Sequence, residues 1–116
     1  MIGGGKGLSP KDAKLFKKHL KKIKEGGVFY LIQLLPECYP NRVKFGFAHF
    51  IERRLSEHQI TCPNAKLLGN WNCLRSREKD IIKQITKICN CVGLTTEVFD
   101  CEDYKEILNK TEELFK

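Results

Sequence analysis

Four chemically active side chains lie in or just after the most apolar segments of this chain. Tyr30 lies in one apolar run, Lys44 lies in a second, and Arg54 and His58 follow the second run. A hydrophobic core does not require a phenol, an ammonium and a guanidinium at these points. Such groups can instead transfer a proton or hold an anionic group. These four side chains are therefore the first candidates for a functional site.

The charge of the chain is basic and unevenly distributed. The formal net charge is +7, from 21 Lys+Arg and 14 Asp+Glu. The segment KDAKLFKKHLKKIK, residues 11–24, is strongly basic, whereas residues 95–115 are acidic. A basic excess favours nucleic acid or another anionic surface, through long-range attraction and counterion release. A solvated lysine-rich helix would give the same pattern, so charge alone leaves both interpretations open.

The spacing of apolar residues predicts an α+β domain with the element order α-β-β-α-β-α-(β)-α. The predicted elements are a helix over 9–25, strands over 28–35 and 43–47, a helix over 49–58, a strand over 65–73, a helix that Ser76 caps, a short extended piece over 95–100, and a final helix capped by Asp100 or Asp103. The first two strands are expected to pair as a hairpin. The first helix has one apolar stripe and lysines elsewhere.

The six cysteines and the N-terminus bear on the compartment. The N-terminal residues contain no apolar stretch typical of a secretory signal, and no apolar run approaches the roughly 20 residues that span a bilayer. We therefore expect a cytoplasmic protein with no membrane partner and with free thiols. Cys89 and Cys91 are too close for ordinary paired zinc ligands. Cys73 and Cys89 are expected to be small buried side chains.

Five short motifs then follow one another in a recognisable order. They are GVFYLI at 27–32, VKFG at 43–46, IERRLSEH at 51–58, LLGNW at 67–71 and RSREK at 75–79. Together they resemble the GIY-YIG nuclease superfamily, in particular its compact phage and bacterial branch with a K-I-G second motif. The resemblance covers about residues 26–99. It implies a small three-stranded antiparallel sheet flanked by helices, with residues 26–116 as the nuclease-like domain and residues 1–25 as an added basic helix.

The resemblance also implies a metal-dependent DNA endonuclease and a role for each candidate residue. Tyr30 would deprotonate or orient the attacking water, and Lys44 would lower the pKa of Tyr30 or hold a phosphate oxygen. Arg54 would make a forked contact to the scissile phosphate. Glu78 would be the single protein ligand of Mg²⁺ or Mn²⁺. His58 would contact a phosphate or tune Tyr30.

Contacts to the DNA backbone are expected from basic residues outside this set. They are Lys17, Lys18, Lys21, Lys22, Arg53 and Arg77. A phosphate-directed surface of this kind binds DNA without reading its sequence. Because the chain has no separate recognition domain, we expect low specificity, targeting by a partner protein, or a homodimer.

Three alternatives remain open from the sequence. In another register of the first motif, Phe29 would occupy the position of the catalytic tyrosine. The domain could be a DNA-binding module of the same fold that cleaves poorly, or a protein-interaction domain that docks a partner through its acidic C-terminal helix. The enzyme assignment requires Tyr30, Lys44, Arg54 and Glu78 to converge on one face of the sheet.

Overall fold

The computed structural model describes residues 26–116 together with Lys11 and Lys14. The predicted helix over 9–25 therefore falls outside the described residues, apart from those two lysines, and so do Lys17, Lys18, Lys21 and Lys22. The described elements are β1 Gly26–Leu35, β2 Tyr39–Ala48, α1 Ile51–Thr61, β3 Lys66–Leu74, a 3₁₀ turn Arg75–Arg77, α2 Glu78–Ile88, β4 Val92–Gly93, β5 Val98–Asp100 and α3 Tyr104–Leu114. This is the α+β class that the sequence predicts.

Within the described residues the sheet has five antiparallel strands, in the order β3-β1-β2-β5-β4. The prediction of a three-stranded sheet is therefore wrong in strand number, although the three long strands do form its centre. The two extra strands are short: β5 pairs Val98 with Lys44 and Asp100 with Arg42 on β2, and β4 pairs in turn with β5. Strands of two or three residues are too short to give a periodic pattern in the sequence.

The central position of β1 explains its unbroken apolar run. β1 is paired with β2 on one edge and with β3 on the other. Phe29, Leu31 and Ile32 are fully buried and Tyr30 is 2% exposed. A strand that is covered on both faces has no solvent-facing positions and so shows no alternation of polar and apolar residues. The predicted hairpin between the first two strands is confirmed, with a tighter connection in which the Cys38 N–H donates to the Leu35 carbonyl oxygen.

The two faces of the sheet bury different residues. The larger core lies under α2 and α3 and contains Phe29, Leu31, Val43, Phe45, Ile81, Ile82, Ile85, Cys89 and Ile107. The smaller cluster lies under α1 and contains Tyr30, Ile32, Ala48 and Ala65, with Ile51 and Leu55 of α1 packed against it. Because successive strand residues point to opposite faces, Phe29 and Tyr30 belong to different cores.

The helix starts differ in part from the prediction. Ser76 lies in the 3₁₀ turn, and α2 begins at Glu78 behind Arg77, which makes no side-chain capping bond. The last helix is capped by Asp103, one of the two predicted residues, whose carboxylate accepts the Lys105 N–H at 2.9 Å. The start of α2 at Glu78 places this glutamate in the first turn, where a carboxylate interacts favourably with the helix dipole.

All six cysteines lie among the described residues and form no disulfide. Cys89 is buried, as predicted, whereas Cys73 is only half-buried. Across residues 26–116 and the two described lysines, no helix is both long enough and apolar enough to cross a bilayer.

Candidate active site

The sheet register places Tyr30 and Lys44 on the same face. Tyr30 lies opposite Gly46, and Ile32 lies opposite Lys44. Residues that are directly opposite in an antiparallel pair share a face, and so do residues two apart on one strand. The shared face is the one that α1 covers. Phe29 is instead fully buried in the larger core, so Tyr30 and not Phe29 shares a face with Lys44.

Gly46 lets the Tyr30 ring cross β2. A Cβ atom added at Gly46 would overlap the hydroxyl oxygen and the adjacent ring carbon of Tyr30. The ring therefore lies flat against the backbone at this point and carries its hydroxyl over the neighbouring strand. Only glycine leaves this space, so the glycine of the VKFG motif has a local steric reason.

The helix α1 brings His58 to the Tyr30 hydroxyl. Ile51 and Leu55 pack one side of α1 against the sheet, and the Tyr30 Oη lies 3.4 Å from Nε2 of His58. Burial lowers the pKa of His58, and the nearby cations Lys44 and Arg54 lower it further. The imidazole is therefore neutral at neutral pH, and its unprotonated nitrogen can accept a hydrogen bond from the phenol.

The environment of Tyr30 keeps its hydroxyl protonated. Burial raises the pKa of Tyr30 to about 12; Arg54 opposes this shift, while Glu97 and Glu78 add to it. The sequence led us to expect that neighbouring cations would lower this pKa. One cation does act in that direction, but the burial of the phenol outweighs it.

Lys44 is held by a residue for which no role was predicted. Its Nζ lies 3.6 Å from Oε2 of Glu97, and the Glu97 backbone oxygen accepts the Phe45 N–H at 2.9 Å. Glu97 reaches the site because β5, which follows it directly, pairs with β2 at Lys44. The sequence did predict an extended piece over residues 95–100, which contains Glu97. It did not indicate that this piece pairs with β2.

Glu78 lies at the edge of β2, beyond the last residue that β5 covers. Burial raises the pKa of Glu78, and the negative charge of Glu97 raises it further, while Arg75 and the backbone N–H of Phe47 oppose the shift. Glu78 and Glu97 line the same groove, which has a volume of about 420 Å³.

The donor chemistry of Glu78 fits Mg²⁺ or Mn²⁺, because these ions prefer carboxylate oxygens and Mg²⁺ usually keeps several of its waters. The raised pKa of Glu78 agrees with this preference. Burial and the charge of Glu97 both disfavour the ionised carboxylate, and a bound cation would stabilise it. In the described part of the chain, no group of three or more His, Cys, Asp or Glu side chains could hold a metal ion. An ion bound here would therefore depend on Glu78, with water as its main ligand.

The two arginines of α1 differ in how far they reach the site. The Arg54 side chain is 44% exposed and lies 3.5 Å from Glu57, and its charge influences both Tyr30 and His58. Arg53 is 81% exposed and lies 3.7 Å from the same glutamate. Ion pairs this long and this exposed contribute little, so either guanidinium is free to turn towards an anion.

The structure therefore places Tyr30, Lys44 and His58 together at the α1 face, with Arg54 on α1 close enough for its charge to act on Tyr30 and His58. Glu78 is not on that face: it begins α2, which covers the larger core, and it lines a different groove, although its charge still acts on Tyr30. Arg77 does not join them. It is exposed and lines a separate depression with Gly26 and Leu74.

Comparisons of the chain with protein-family models, with curated proteins and with solved structures found no match. The resemblance to the GIY-YIG nuclease superfamily accordingly depends on the five motifs and on the residues they contribute to this site.

Proposed function

We propose that the protein is a metal-dependent endonuclease that hydrolyses DNA phosphodiester bonds, as in the GIY-YIG superfamily. The observation that carries the proposal is the contact between Tyr30 and His58 on the face that Lys44 shares, with the charges of Arg54 and Glu78 both acting on Tyr30. Phosphodiester hydrolysis needs proton transfer and charge neutralisation, and it commonly uses a metal ion for the leaving oxygen. A site built for packing alone does not need this combination.

In the proposed mechanism Tyr30 and His58 act as a pair. A phenol with a pKa of about 12 is protonated at neutral pH, so Tyr30 accepts a proton from the attacking water only as it gives its own to Nε2 of His58. The neutral imidazole is the form that can receive that proton. The 3.4 Å separation is longer than an ideal hydrogen bond, and such contacts often tighten when substrate binds.

Lys44 and Arg54 neutralise the phosphoryl oxygens. Arg54 suits the forked contact, because its guanidinium presents two parallel donors. Lys44 has to leave Glu97, and its 3.6 Å ion pair is loose enough for a phosphate oxygen to compete. Glu78 would hold Mg²⁺ or Mn²⁺, which when bound supplies positive charge for the leaving oxygen.

One observation favours a second candidate, a DNA-binding module of the same fold that cleaves poorly. The pKa of about 12 makes Tyr30 a weak base unless His58 relieves it of its proton. If that transfer is inefficient, the basic surface still binds DNA while hydrolysis is slow.

Glu78→Ala separates the two candidates. We expect the wild-type protein to nick supercoiled plasmid in Mg²⁺ or Mn²⁺, and the variant to lose nicking while it keeps salt-sensitive DNA binding. Glu112→Ala, an exposed glutamate of α3, is the matched control and should nick normally. Wild-type binding without any nicking would support the DNA-binding module. If wild-type protein had no salt-sensitive affinity for DNA, both candidates would fail and a protein-interaction domain would remain.

A further inference from the structure

Phe50 is an aromatic side chain that the folded domain does not bury. Its ring is 71% exposed, whereas every other phenylalanine of residues 26–116 is buried or half-buried. It belongs to neither core cluster. An exposed ring gains free energy from a flat apolar partner that covers it.

The ring forms part of a groove that also contains the arginines of α1. The groove has a volume of about 360 Å³ and is lined by Ala48, His49, Phe50, Arg53, Arg54 and Glu57. Its volume lies within the range of roughly 300–1,000 Å³ that is typical of ligand sites. Phe50 directly precedes α1, and its carbonyl oxygen accepts the Arg54 N–H at 3.2 Å. The ring and the guanidinium are thus one helical turn apart, where side chains are neighbours.

This combination of groups matches a nucleotide better than it matches a protein segment. A nucleotide pairs a flat base with an anionic phosphate, and the groove pairs an exposed ring with two arginines that are held only loosely by Glu57. Base-on-aromatic stacking together with a positively charged groove is the usual arrangement for binding single strands. A base inside a duplex is already stacked on both of its faces, so it has no free face on which the Phe50 ring could stack.

We propose that this groove holds one unstacked base of a single-stranded segment next to the scissile phosphate, with Phe50 as the stacking surface. The inference rests on the proposed function and names its substrate class: DNA with a single-stranded or unpaired segment at the cleavage site. Arg54 would contact the phosphate that enters the site, and Arg53 a neighbouring one.

The test compares Phe50→Ala, Phe50→Trp and wild type in binding a fluorescent single strand and the duplex of the same sequence, with EDTA present to prevent cleavage. We expect Phe50→Ala to weaken single-strand binding about tenfold and to leave duplex binding within about twofold. Phe50→Trp should retain single-strand binding. Ile60→Ala is the matched control, because Ile60 is 82% exposed at the other end of α1 and lies outside the groove.

Salt dependence separates stacking from charge. Phe50→Ala removes no phosphate contact, so the slope of log affinity against log salt concentration should be unchanged. Arg53→Gln should reduce that slope by about the contribution of one phosphate contact. Equal weakening of single-strand and duplex binding by Phe50→Ala, or no weakening of either, would overturn the inference. A shift from dimer to monomer in Phe50→Ala would overturn it as well, because the groove would then be covered by a second copy. Failure of the wild-type protein to bind any DNA would instead refute the proposed function.

Discussion

Gly46 shows that the site depends on steric room for the Tyr30 ring, which cannot be read from the sequence motif. The motif has a glycine two residues after Lys44, and the structure gives the reason for it: the Tyr30 ring crosses β2 at that point. Strand alternation likewise favours Tyr30 over Phe29, because it directs Phe29 into the larger core. The residue types of the site were thus predictable, whereas the contacts between Tyr30, His58 and Glu97 depend on the packing of separate elements.

Gly46→Ala should displace the Tyr30 ring and reduce nicking by about 100-fold, because small misplacements of a reacting group have effects of this size. The added methyl group would overlap the phenol, which has to move. Gly93→Ala is the matched control, since a Cβ there would lie an ordinary 3.4 Å from the nearest atom, on Phe99. Plasmid nicking at a temperature where both variants are folded is the measurement. Normal nicking by Gly46→Ala would contradict the position of Tyr30.

His58 should give the nicking rate an acidic limit. Its folded-state pKa lies below 6.5, so the imidazole is neutral above that value and becomes protonated as the pH falls through the folded pKa. Nicking should therefore decrease as the pH falls through the lowered pKa of His58. His58→Gln should be slower at every pH and lack this step, whereas His49→Gln should keep it.

The same titration affects folding, and its sign can be stated. Because the unfolded chain has the higher histidine pKa, it binds more protons in this window, and the free energy of unfolding decreases as the pH falls from 6.5. Urea unfolding at each pH separates this effect from the loss of catalysis. A nicking profile that is identical in wild type and His58→Gln would contradict the proton transfer from Tyr30.

At the scale of elements, α1 positions two of the five site residues. Arg54 and His58 are both on this helix, which is fixed to the sheet by Ile51 and Leu55. The helix was predictable from its apolar spacing, and so was the hairpin that carries Tyr30 and Lys44. The pairing of β5 with β2 was not, because three residues give no periodicity, and Glu97 was missed for this reason.

Leu55→Ala should loosen α1 and affect both of its site residues together. We expect a loss of about 1–2 kcal/mol in the free energy of unfolding, since the side chain is half-buried, and a fall in nicking larger than partial unfolding explains. Leu108→Ala is the matched control: it is a half-buried leucine of α3 that packs on the opposite face. Urea unfolding and plasmid nicking of both variants are the measurements. If Leu55→Ala and Leu108→Ala lowered the free energy of unfolding equally and also lowered nicking equally, α1 would have no special role in positioning the site.

At the scale of the whole molecule, the site lies where the α1 face meets the edge of β2, and the larger core is on the other face. This division leaves the smaller face free to present cations, while most of the buried apolar residues belong to the larger core under α2 and α3. The α+β class followed from periodicity alone. The number of strands did not follow from periodicity, because the two extra strands are too short to show it. The basic helix over 9–25 remains a prediction. The net charge of +7 is consistent with a polyanionic partner.

The central claim is that Tyr30 takes part in hydrolysis, and Tyr30→Phe tests it most directly. The change removes one hydroxyl oxygen and leaves the buried ring in place. Tyr39→Phe is the matched control, because Tyr39 is 54% exposed at the far end of β2 and contacts Arg42 instead. In supercoiled-plasmid nicking with Mg²⁺ or Mn²⁺, we predict that Tyr30→Phe loses activity by about 100-fold or more while Tyr39→Phe matches wild type. Equal nicking by wild type and both variants would contradict the assignment of this site.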